Sequence, residues 1–213
     1  MNLCSSSLFL VVGLFLSSSA MTPEECKPLI TPLSMADPSS MFGRVNFIMG
    51  YNDNEIFNDI LKITQSSWMD MSLSLSNPDE VVMAQENRIN GTCIVTTASA
   101  TIDGDTAKVS LVNVTSTFQS LPTCEGCLAL SINSTSINIS KLLHVMNLSS
   151  TSVGPQFTSF AVYLMANTST VQDSDLEHFK KQASCLGFTG EPGFHYDPKN
   201  GFCEEGEFMK IIN

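Results

Sequence analysis

Between about Val45 and Met165 the chain consists of short segments rich in Val, Ile, Thr and Ser, broken roughly every eight to fifteen residues by turn-forming residues. That pattern predicts strands. The clearest alternation is Leu61, Ile63, Gln65, Ser67, Met69, Met71, Leu73 and Leu75, whose intervening neighbours are polar except for Ile60 and Trp68. A period of two means that one face of this segment is buried. Ser76-Asn77-Pro78-Asp79 ends it, while Asn90-Gly91 and Asp103-Gly104-Asp105 place glycine where a tight hairpin requires positive φ. Eight strands are expected, near 44–50, 60–75, 79–87, 92–101, 106–114, 127–133, 138–147 and 157–166.

The period then changes. Ser174-Asp175-Leu176-Glu177 has the spacing of a capping box and predicts a helix start. Leu176, Phe179 and Ala183 recur on one helical face, and Gly187 stands where a C-terminal cap belongs. Eight antiparallel strands followed by one packed helix predict an all-β fold: an eight-stranded, up-and-down β-barrel with a C-terminal α-helix against it, since closure removes exposed sheet edges. A β-sandwich with a terminal helix fits the same pattern. The expected organisation is a barrel over about 42–167, a helix over about 174–186 and a tail over 187–213.

The ends and the cysteines set the address. Leu8 to Leu16 is an apolar run followed by Ser17-Ser18-Ser19-Ala20, which reads as a signal peptide over residues 1–20, leaving one domain over 21–213. The run is too short for a membrane span, which needs about twenty apolar residues. Removing it leaves six cysteines, Cys26, Cys93, Cys124, Cys127, Cys185 and Cys203, an even number that suits an oxidising compartment. Six glycosylation sequons, at Asn90, Asn113, Asn133, Asn138, Asn147 and Asn167, agree with a secreted, extracellular protein of plasma or mucus. Ten Lys and Arg against twenty-one Asp and Glu, with the basic residues scattered, argue against a nucleic-acid partner.

Three stretches at matching separations resemble the lipocalin family. The first runs from Cys26-Lys27-Pro28 through Phe42-Gly43-Arg44-Val45-Asn46-Phe47 to Tyr51-Asn52-Asp53-Asn54. The second is Cys93-Ile94. The third is Leu176-Glu177-His178-Phe179 through Cys185 to Tyr196-Asp197-Pro198 and Cys203. They are similar to the orosomucoid branch of acid glycoproteins and to the fish lipocalins that bind saxitoxin, tetrodotoxin and organotins. The resemblance implies pairing of Cys93 with Cys203 and of Cys26 with Cys185. It departs from the family pattern at Val45, which stands where the family carries the tryptophan that plugs the closed end of the barrel.

Cys124 and Cys127 have no counterpart in that branch and read best as a local disulfide. A redox dithiol would want a helix N-terminus, and Glu125 beside the pair works against a thiolate. A zinc site would want a second pair, so no metal is expected. His144, His178 and His195 are far apart in the chain, and neither a nucleophile elbow nor a phosphate loop is present. The chain therefore reads as a binder without a cofactor, and not as an enzyme.

An eight-stranded barrel can hold one small ligand. Alternation nominates Trp68, Phe47, Met49, Met71, Met83, Leu111, Leu130, His144, Phe160 and Tyr163 for the cavity wall, with Trp68 foremost because it interrupts a polar face. Each fits ordinary core packing equally well, and Trp68 also fits a place against the external helix. The expected ligand is small and hydrophobic or amphipathic, and the resemblance implies a toxin or xenobiotic as one class. A guanidinium toxin would also need carboxylates near the mouth, such as Asp70, Glu80 or Glu86. The rival expectation is a glycoprotein with a filled barrel that meets a receptor or modulates immunity.

Overall fold

The computed structural model describes residues 21–75, 77, 80–111, 113–146, 148, 154–204 and 207–210. The expected signal peptide and Asn147 lie outside them. Eight strands form the body: β1 Gly43–Asn52, β2 Thr64–Leu73, β3 Glu80–Ile89, β4 Thr92–Asp103, β5 Thr106–Leu111, β6 Val114–Leu121, β7 Cys127–Ile137 and β8 Gln156–Ala166. Each pairs antiparallel with the next, and β8 returns to β1, so the sheet closes into the expected up-and-down barrel. The Asn90-Gly91 turn has φ of 47° and 75°, the positive values that a two-residue hairpin with the right twist demands.

The count of eight agrees with expectation only because two errors offset each other. Segment 138–147, expected as a strand, holds the short helix α3 Ser140–Val145 instead. Asn138 at φ 51° ends the β7 ladder, and Ile139 and Leu143, one helical turn apart, are both buried. Strand β6, in turn, is absent from the expected set. Asn113 at φ 65° turns the chain inside the segment expected as one strand over 106–114, and β6 pairs back on β5 as a hairpin.

The segment expected as a strand from residue 60 begins as a helix. In α2, Glu55–Ile63, the Asn54 side chain accepts a bond from the Ile56 N–H at 3.0 Å. Leu61 and Ile63 serve the helix, and the strand starts at Thr64.

Two more helices pack together outside the barrel. In α1, Pro23–Ile30, Thr22 and Glu25 form a capping box. In α4, Asp173–Cys185, the expected box at Ser174 does not form: the N-cap is Gln172, two residues earlier, and Glu177 instead accepts from Lys180 at 2.8 Å. Gly187, φ 92°, does cap the end, with its own N–H bonded to Ser184 and that of Phe188 to Ala183. Phe179 and Ala183 bury against Ile48, Met49, Val162 and Leu164 on the outer wall. Each large side chain buried this way stabilises the fold by roughly 1.5–3 kcal/mol.

Three disulfides staple this arrangement. Cys26–Cys185 joins α1 to the end of α4, Cys93–Cys203 joins the tail to β4, and Cys124–Cys127 closes the loop before β7. The tail contributes two short strands, β9 Phe194–His195 against β1 and β10 Phe208–Lys210 parallel to β4. Strand β1 pairs with β2 only over Gly43–Asn46; beyond that level β9 takes its edge. At the closed end Val45 packs in one cluster with Met35, Met41, Met71 and Met165. Flexible thioethers pack readily around a side chain as small as Val45.

Candidate functional site

The barrel encloses a cavity of about 310 Å³. Its wall is built by the inward residues of successive strands, among them Phe47 on β1, Met69 on β2, Met83 on β3, Val109 on β5, Phe118 on β6 and Leu130 on β7. The two short helices cover the mouth: α2 supplies Phe57, Ile60 and Leu61, and α3 supplies Leu142. Phe57 meets Phe157 of β8 with ring centroids 5.8 Å apart, which holds α2 against the rim.

Backbone room decides where the largest rings lie. A Cβ on Gly50 would stand 2.5 Å from Phe47 Cζ and 2.9 Å from Tyr163 Cδ1. Only glycine lets both rings fold over β1, where their centroids lie 4.8 Å apart. Burial raises the Tyr163 phenol above its usual range, and the hydrogen bond with Asn52 opposes that shift. The phenol is therefore neutral at physiological pH.

Among the described residues, none that lines the cavity is Asp, Glu, Lys, Arg or His. Its polar groups are hydroxyls and carboxamides: Asn52, Thr64, Ser67, Gln85, Asn87, Thr96, Ser116, Ser134 and Ser159, besides Tyr163. Such a lining offers hydrogen bonds without net charge. It can desolvate an apolar body and orient a neutral polar end, but it supplies no counter-charge.

No family model and no curated relative matches the sequence. Solved structures do match. The siderocalin Q83 has a TM-score of 0.57 at 15% identity, covering 80% of this chain and 97% of that one. The siderocalin Ex-FABP has a TM-score of 0.55 at 13% identity, covering 74% of this chain and 95% of that one. This chain has the lipocalin fold.

Within the lipocalin barrel the ten residues nominated from sequence separate. Phe47, Met83, Leu111, Leu130 and Tyr163 line the cavity. Met71 points inward but lies in the core cluster with Val45, away from the lining, at 1% exposure. Met49 lies outside, under α4. A register shift between Phe47 and Met49 puts an extra residue into β1, so simple alternation from Phe47 gives the wrong face. Phe160 also faces outward and stacks on Phe188 at 5.6 Å. His144 is exposed on α3, because the segment carrying it is not a strand.

Trp68 is the most instructive departure. Ser67 and Met69 on either side of it line the cavity, so Trp68 points out of the barrel. There its Nε1–H donates to Glu86 at 2.8 Å, and the Arg44 guanidinium lies 4.4 Å above its ring. Arg44 also lies 5.3 Å from the Phe202 ring, so this cluster fastens the tail to the wall. Glu86, committed to Trp68, and Asp70, exposed, do not face the cavity, and Glu80 does not line it either.

Sequence reasoning missed the α2 residues of the mouth, although Asn54 followed by Ile56, Phe57, Ile60 and Leu61 carries a helical spacing that could have found them. It also missed the polar lining. The five sequon asparagines among the described residues, Asn90, Asn113, Asn133, Asn138 and Asn167, are all exposed. No helix among the described residues is long and apolar enough to cross a membrane.

Proposed function

We propose that this protein is an exported, glycosylated member of the lipocalin family that binds and carries a small hydrophobic or amphipathic compound in its barrel. One observation carries the reading: a closed barrel with about 310 Å³ of interior space whose lining is mostly apolar and, among the described residues, carries no formal charge. Pockets of several hundred cubic ångströms are the usual size of small-molecule sites. Three disulfides, exposed sequon asparagines and the resemblance of the mature sequence to the orosomucoid branch support plasma or mucus as the address.

Within the toxin and xenobiotic class that the resemblance implies, lipophilic compounds suit the lining. A guanidinium toxin does not, because the carboxylates that would pair with it face elsewhere. Binding is favoured over catalysis because the described residues of the lining include no His, Cys or carboxylate to serve as nucleophile or base. A receptor-binding module with a filled barrel has the open interior against it.

Titration with an apolar fluorescent naphthylamine tests the proposal. The expected result is saturable uptake near one probe per chain, displaced by lipophilic competitors. Absence of uptake by the folded protein would refute it. Trp68 emission is a poor substitute readout, since its ring stands outside the wall.

A further inference from the structure

The polar groups of the cavity fall into two sets with different states. On β6 and β7, Ser116 Oγ and Ser134 Oγ lie 2.7 Å apart and satisfy each other. On β1 and β8, the Asn52 carboxamide acts on the Tyr163 phenol and opposes the effect of its burial. Across β2, β3 and β4 the registers Ser67↔Asn87 and Gln85↔Thr96 bring a second set together. There Gln85 Nε2 donates to Asn87 Oδ1 at 3.2 Å, which leaves the Asn87 NH₂ group unused by that bond. Ser67 Oγ, in a residue only 2% exposed, has no hydrogen-bond partner among the described residues.

A buried hydroxyl without a partner is unfavourable, and its persistence on a cavity wall calls for a partner from within the cavity. Ser67 can both donate and accept, and the neighbouring carboxamides can do the same. Among the described residues, none that lines the cavity carries a formal charge. A cation or anion entering this space would lose its hydration and meet no opposite charge, a penalty that hydrogen bonds to neutral groups do not offset.

Building on the carrier reading, we infer that the cavity selects a neutral amphipathic ligand with a single hydrogen-bonding end, a hydroxyl or a carbonyl, that docks on Ser67, Gln85, Asn87 and Thr96. The apolar body of the ligand lies toward Phe118, Leu130 and Ile132 on the facing wall. The same residues exclude charged molecules of equal size, so discrimination rests on desolvation rather than on shape.

A matched series separates this inference from the carrier reading itself. Octanol, octane, octanoate and octylguanidinium compete with the bound naphthylamine probe at neutral pH, on the wild type and on Ser67→Ala. The expected order places octanol about tenfold tighter than octane and than either ion. Ser67→Ala should weaken octanol by about three- to tenfold, the worth of one hydrogen bond, and leave octane unchanged. It should also keep or raise the thermal midpoint of the ligand-free protein, since it removes an unpartnered hydroxyl. Either ion binding as tightly as octanol, or octanol and octane losing equally in Ser67→Ala, would overturn the inference while probe uptake still upholds the carrier reading. No uptake of probe or of any member would overturn both.

Discussion

The rings of Phe47 and Phe194 stack with centroids 4.4 Å apart and planes inclined by 13°. Phe47 lines the cavity and Phe194 belongs to β9, so the C-terminal tail backs the cavity wall where β1 parts from β2. Replacing Phe194 with Ala removes that backing. The expected loss is about 3–5 kcal/mol of stability, with weaker probe binding as Phe47 gains room to move. Denaturant midpoints and probe affinities measured on the same variant check this; unchanged affinity would detach the tail from the site.

The three disulfides should differ in worth according to the loops they close. Cys93–Cys203 spans 110 residues and Cys124–Cys127 spans 3. Chain-entropy arithmetic assigns about 5 kcal/mol to the first and about 2 kcal/mol to the second. Paired Cys→Ser variants, compared by urea denaturation, should show that order. The Cys93–Cys203 variant should also retain ligand less well, because the Ser66 hydroxyl bond to Gly201 and the Arg88 bond to Phe202 then hold the tail with no covalent help.

Gly50 should be intolerant of even one carbon. Gly50→Ala drives a methyl group into the rings of Phe47 and Tyr163. Overpacking of this kind costs about 1–3 kcal/mol, and the displaced rings enter the cavity. Probe affinity should therefore fall more than stability does, whereas Gly104→Ala, whose Cβ would meet nothing within 4 Å, should leave affinity alone.

All three tyrosines of the chain, Tyr51, Tyr163 and Tyr196, are raised above the usual 10.0, in each case chiefly by burial. Well below pH 10 they are neutral in the folded and the unfolded chain alike and impose no pH dependence. Above it the unfolded chain ionises first, so stability present below pH 10 is lost as pH rises through the folded values. At pH 10 the native protein should show clearly less tyrosinate absorbance than the same sample after denaturation. Equal absorbance would contradict the burial.

The architecture was legible because closure of a barrel depends on alternation and turns, and both are written locally. Gly91 and Gly187 stand where their conformations demand them. Strand faces were less legible. A single extra residue in β1 moved Met49 to the outside, and a polar inner face made Trp68 look like an inward anchor when Ser67, beside it, is the residue that faces the cavity. Nothing local distinguishes a hydroxyl that faces water from one that faces an apolar cavity. The orphaned state of Ser67 exists only once β2, β3 and β4 are side by side.

The central claim is that a closed barrel holds a neutral guest. Mass spectrometry of small molecules extracted from protein purified out of its native fluid tests it most directly. The account predicts an uncharged amphipathic compound at close to one molecule per chain; recovery of a charged compound, or of none from protein that has never been stripped of its ligand, would contradict it.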